Sequence, residues 1–186
     1  MKHWTMALFS VASLSIAACG SSNSSVADVD LPDGFESVEG LVGSAESGTL
    51  DLATEEMMAG TASMSGALGV GELGEDEDLE LLGDLSMTAD FTSGTYAGSA
   101  DNFALYDESQ AIEATLEGSL AVSGTISGTS IMGFADGTLT DDEDHEVLLD
   151  MDGSFYDYEG DLAAYGDIEG TIDGEDVEGG FAAIED

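Results

Sequence analysis

The sequence predicts an all-β protein, an eight-stranded antiparallel up-and-down soluble β-barrel that follows a signal peptide and a flexible tether. Three observations carry this. Apolar and polar residues alternate with a period of two from Gly60 to the end, short turn-rich connections join the alternating segments, and many of the 25 glycines interrupt those segments. Alternation marks a strand with one buried face. Short connections pair neighbouring strands antiparallel, and barrel strands use Gly where they coil tightly or where side chains crowd inside.

The clearest strand places Leu79, Leu81, Gly83, Leu85, Met87, Ala89 and Phe91 on one face. Glu80, Asp84, Ser86, Thr88 and Asp90 lie on the other, and Leu82 alone is out of place. Residues 112–127 alternate Ile112, Ala114, Leu116, Gly118, Leu120, Val122, Gly124 and Ile126 against mostly polar neighbours. That run is long enough for one strongly curved strand, with Gly118 and Gly124 as bends. Weaker alternation marks 61–70, 94–104, 130–140, 146–157, 161–172 and 176–184, which brings the total to eight strands. The links Thr92-Ser93, 141–144 and Asp173-Gly174-Glu175 are short. Closure into a barrel leaves no exposed edge.

The start of the chain has a different character. Lys2 and His3 precede an unbroken apolar and small run over 6–18, which ends at the only cysteine, Cys19. As a helix that run would rise about 20 Å, short of the roughly 30 Å hydrocarbon core, so it reads as a signal peptide over 1–18 rather than a permanent span. Ile16-Ala17-Ala18-Cys19-Gly20 resembles the lipobox of bacterial lipoproteins. The resemblance implies lipid attachment at Cys19, palmitate among the acyl chains, and a place in the cell envelope at the outer membrane. Two or three chains anchor stably where one does not, at about 0.8 kcal/mol per buried methylene. Residues 19–56 read as the lipidated Cys and a mostly flexible acidic, Ser/Gly tether containing the only proline, Pro32, and 57–186 as the barrel domain.

Charge excludes whole classes of function. All 41 acidic residues follow residue 18, and the single basic residue is Lys2, so residues 19–186 contain no Lys or Arg. Nucleic-acid binding needs cations to neutralise phosphates, and electrostatic attraction to anionic lipid needs them equally. A lone cysteine permits no disulfide within the chain. The apolar face of the barrel could point inward in water or outward in lipid. The only Trp is Trp4, the five Tyr are scattered rather than girdled, and the chain ends Ile184-Glu185-Asp186 without a terminal aromatic, all of which lean toward water.

Several strand motifs, taken in order, resemble the β-barrel domain of transferrin-binding protein B and the smaller surface lipoproteins that share it. Ala89-Asp90-Phe91-Thr92-Ser93-Gly94-Thr95-Tyr96-Ala97-Gly98 is similar to the family's Asp-Phe turn leading into a Thr-x-x-Gly strand. Gly124-Thr125-Ile126 with Gly133, Gly153-Ser154-Phe155-Tyr156, Gly170 and Gly179-Gly180-Phe181-Ala182-Ala183 follow its order of Gly and aromatic positions, and Gly60-Thr61-Ala62-Ser63-Met64-Ser65-Gly66 looks like its first barrel strand. The resemblance covers 60–186 and implies a single soluble barrel on a lipid tether. Asp157 stands where the family commonly has Gly, and no partner-contacting residue carries over.

Candidate sites are few. His145 is the only histidine after His3, so Ser-His-Asp or Cys-His chemistry would rest on one residue in an acidic turn, and the chain reads as no enzyme, with no catalytic, cofactor-binding or metal residues assigned. Glu75-Asp76-Glu77-Asp78 and Asp141-Asp142-Glu143-Asp144-His145-Glu146 are acid-dense loops that could offer calcium its six to eight oxygens. They lack the spacing of a known calcium loop, and the solvated-turn reading is preferred. Phe91, Phe103, Phe134, Phe155 and Phe181, with Met64, Met87, Met132 and Met151, read as barrel core or surface ahead of a ligand cavity. Two functions follow: a non-enzymatic binding or surface-display lipoprotein, taking a basic protein or a small ligand, or a structural and protective acidic envelope lipoprotein. A small lipid-spanning barrel is third.

Overall fold

In the computed structural model, residues 31–73, 79–107 and 109–186 are described. Their elements are α1 (Asp33–Glu46), β1 (Asp51–Leu52), β2 (Thr61–Leu73), β3 (Leu79–Asp90), β4 (Thr95–Tyr106), β5 (Ile112–Thr115), β6 (Glu117–Ser127), β7 (Ser130–Thr140), β8 (Asp144–Tyr158), β9 (Asp161–Ile172) and β10 (Glu175–Glu185). Each long strand pairs antiparallel with the next, and β10 returns to β2, so eight strands close a barrel in the order β2-β3-β4-β6-β7-β8-β9-β10. The run 112–127 is not one strand. It breaks at Leu116, whose N–H donates to the Phe103 carbonyl at 2.8 Å, and both halves pair with β4. Gly118, at φ +113°, turns the chain into β6 in a region L side chains rarely adopt.

Alternation sends one apolar set inward. Met64, Leu85, Met87, Phe103, Leu120, Ile131, Leu149, Met151, Phe155 and Phe181 are buried together. Phe91 packs at their edge, while Met132 and Phe134 lie on the exposed outer surface.

Two interior aromatic rings reach over glycine pairs on the neighbouring strands. Phe181 pairs with Gly166, which pairs with Gly153; Tyr96 pairs with Gly124, which pairs with Gly133. A Cβ built on Gly166 would sit 2.3 Å from the Asp152 carbonyl oxygen and 2.7 Å from the Phe181 ring, and one on Gly133 would sit 2.3 Å from the Tyr96 hydroxyl. Glycine is therefore what lets each ring cover two strands. Burial pushes the Tyr96 hydroxyl up to about 12, and that group has no hydrogen-bond partner among the described residues.

One end of the barrel is closed. β1 pairs with the end of β8, the Ala53 N–H donates to the Phe155 carbonyl at 3.0 Å, and Met57 and Met58 pack against the core. Phe91 meets Phe155 edge-on with ring centroids 5.2 Å apart.

The expected flexible tether over 19–56 is corrected within its described part, where α1 and β1 are folded. Phe35, Val38, Leu41 and Val42 recur at helical spacing and dock on the outer wall against Ala67, Ala163 and Ala182. Leu82, the residue out of step on β3, is buried on that same outer face with Ala104 and Tyr106, and Phe35 packs against the group. Asp84, also on β3, accepts the Gly34 N–H at 2.9 Å at the start of the helix, where a carboxylate complements the helix dipole. α1 carries Gly34, Gly40 and Gly43, so packing rather than propensity holds it. Leu41 is fully buried, and Leu41→Ala is expected to destabilise the protein by about 2–5 kcal/mol in urea unfolding. A loss below about 1 kcal/mol would mean that the helix is not docked.

Candidate binding cavity

Among the described residues, the end opposite Met57 and Met58 is open. There the strands run past the packed core and enclose a cavity of about 550 Å³, within the range of small-molecule sites. Buried Leu81, Leu139, Val147 and Val177 form its floor, continuous with the barrel core. Half-exposed Leu73, Leu79, Leu105, Leu116 and Ile172 form the upper wall, so nearly every barrel strand contributes an apolar side chain.

The rim on one side is polar. The β7–β8 turn supplies Asp141, the start of β8 supplies His145, and the β9–β10 turn with the start of β10 supplies Asp173, Glu175 and Asp176. His145 Nδ1 lies 2.8 Å from Asp173 Oδ2, and its Nε2 lies 3.2 Å from Asp141 Oδ1. A neutral imidazole has one N–H and could donate to only one carboxylate; the imidazolium donates to both. The hydrogen bond to Asp173, then that to Asp141, raises the His145 pKa above its ordinary 6.5. Asp173 is pulled below 3.8 by His145 and by the Glu146 N–H, and Asp141 by the Glu143 N–H and then His145. The three groups tie the two turns together.

His145 contributes most below pH 6.5, and its contribution is lost as pH rises through its folded value. The two aspartates contribute above 3.8 and lose that contribution as pH falls through their folded values. The clasp is therefore complete between those limits. In an NMR titration the His145 ring is expected to titrate above 6.5 and to fall back toward it in Asp173→Asn. A midpoint at or below 6.5 in the wild type would contradict the clasp.

His145, read from sequence as a solvated loop residue, thus belongs to a cavity rim. Its partner Asp173 is 28 residues away, and only the barrel's closure brings the two turns side by side. Nor does the sequence mark the nine apolar wall residues as a site, because their alternation is the same as that of core residues. The Phe and Met set that sequence offered as a possible lining does not line this cavity. Other turn acids make local bonds: Asp90 accepts the Thr92 and Ser93 N–H groups, and Asp107 accepts those of Ser109 and Ala111. Among the described residues no three His, Cys, Asp or Glu side chains are grouped to hold a metal ion, and no helix is long and apolar enough to cross a membrane. Cys19, the signal segment 1–18 and the acidic loop 75–78 lie outside the described residues. No protein-family model matches the chain, and no curated protein matches it.

Proposed function

We propose that this chain is a non-enzymatic, lipid-anchored binding lipoprotein of the bacterial outer membrane, in which a transferrin-binding protein-like barrel receives a small apolar molecule at its open end. The observation that carries this reading is the cavity, an apolar cup of about 550 Å³ at the end of a barrel whose other end is filled. Water held against leucine and valine walls is readily displaced, and each Å² of apolar ligand surface removed from water contributes about 25 cal/mol. The lipobox-like Ile16–Gly20 supports the anchor, and the ordered Gly and aromatic motifs support the family resemblance.

The outer wall supports a barrel that faces water. At mid-height, Asp150 on β8 stands opposite Glu169 on β9, which stands opposite Glu178 on β10, and Asp152 stands opposite Asp167. All five are exposed, and such a ladder would be strongly unfavourable against hydrocarbon.

The test is titration with a neutral, environment-sensitive apolar dye such as N-phenyl-1-naphthylamine. One saturable site, lost in Leu116→Trp, is expected. Binding that never saturates would leave the rival reading, an acidic structural lipoprotein with a filled barrel.

A further inference from the structure

We propose that the ligand of the open-end cavity is a cationic amphiphile, an apolar body that ends in an amine or quaternary ammonium group. The inference rests on the reading of the barrel as a binding module and adds the charge of what it binds.

The cavity has two chemically distinct zones. Below the rim the wall is leucine, isoleucine and valine from all sides, which suits an alkyl or ring body and offers no polar partner. At the rim, four carboxylates face one imidazole. Asp141 and Asp173 are already engaged with His145 and with backbone N–H groups. Glu175 and Asp176 are exposed and have no side-chain hydrogen bond or ion pair among the described residues. The uncompensated charge at the mouth is therefore negative, and it sits beside a low-dielectric wall, where a cleft focuses its field.

An anionic amphiphile finds the opposite situation. A fatty carboxylate would bring its charge to this rim with no Lys or Arg anywhere in residues 19–186 to receive it. His145, the one cationic group at the mouth, stands between two carboxylates that already take both ring nitrogens. A neutral amphiphile gains the apolar burial alone, so the order expected is cation, then neutral, then anion.

The experiment uses the full chain carrying Cys19→Ser, prepared without detergent, and calorimetric titration below micellar concentrations at moderate salt. Decyltrimethylammonium is expected to bind one per chain and on the order of tenfold more tightly than decanol. Decanoate should bind more weakly than decanol, and tetramethylammonium should not saturate. The double variant Glu175→Gln/Asp176→Asn should bring the cation to the affinity of decanol while leaving decanol unchanged; these residues are exposed, so the fold does not depend on them. Leu116→Trp should abolish both. Decanol or decanoate binding as tightly as the cation would overturn the charge assignment and leave the binding module standing. Cation binding that survives Leu116→Trp in a folded protein would also overturn it, since general attraction to the acidic surface would then suffice. If no ten-carbon probe binds, the binding-module reading falls as well.

Discussion

Gly166→Val is expected to destroy most of the protein's stability, by more than about 3 kcal/mol, and to leave little folded barrel near physiological temperature. The Cβ would lie 2.3 Å from the Asp152 carbonyl oxygen, 2.5 Å from the Gly153 Cα and 2.7 Å from the Phe181 ring. The first two neighbours are backbone, so relief requires opening the β8–β9 ladder rather than turning a side chain. Gly43→Ala is the control. It lies in the helix with nothing within 4 Å of a new Cβ, and it should be neutral or stabilise by up to about 1 kcal/mol. Urea unfolding of the two variants beside the wild type reads both effects. Equal stability of Gly166→Val and wild type would refute the ring-over-glycine packing.

The melting temperature is expected to rise steeply with salt. Residues 19–186 carry 41 carboxylates and no Lys or Arg, and the outer wall sets like charges directly opposite one another in Asp150–Glu169–Glu178 and Asp152–Asp167. Each such pair opposes folding by roughly 0.2–1 kcal/mol. Self-repulsion disfavours the compact state, and the Debye length falls from about 30 Å at 0.01 M to about 3 Å at 1 M salt. Glu169→Lys places a cation between Asp150 and Glu178, so it should raise the melting temperature at low salt and flatten the salt curve. Calcium at fixed ionic strength should do little more than magnesium. A melting temperature that is flat or falls with sodium chloride would contradict the repulsion argument, and a saturable, calcium-selective rise would revive a metal site.

The strands were legible because each reports its own burial through alternation. The bounds read from sequence for 130–140 and 161–172 coincide with β7 and β9, and the closed barrel followed from eight such runs joined by short turns. Where the reading erred, the cause was a contact between distant segments. The helix was hidden by three glycines and four acidic residues within 31–46, although Phe35, Val38, Leu41 and Val42 kept the helical period. Its other half was visible as Leu82, a single apolar residue on a polar face. Read together with Ala67, Ala163 and Ala182, which also face outward on strands brought side by side by closure, Leu82 marks a covered outer wall. The cavity left no local trace, because it depends on how far the strands extend past the last core layer and on which end residues 51–60 cover.

In the proposed function the barrel stands in water and is held at the membrane by Cys19 alone. The measurement is the distribution of the protein after carbonate washing of the envelope. Wild type is compared with Cys19→Ser carrying an ordinary cleavable secretion signal in place of residues 1–18, and palmitate incorporation is followed in parallel. Wild type is expected to be labelled and to stay with the membrane, and the variant to be unlabelled and soluble. A folded variant that remains in the washed membrane would show that the barrel inserts or that a second anchor exists, which contradicts a water-standing barrel held by Cys19.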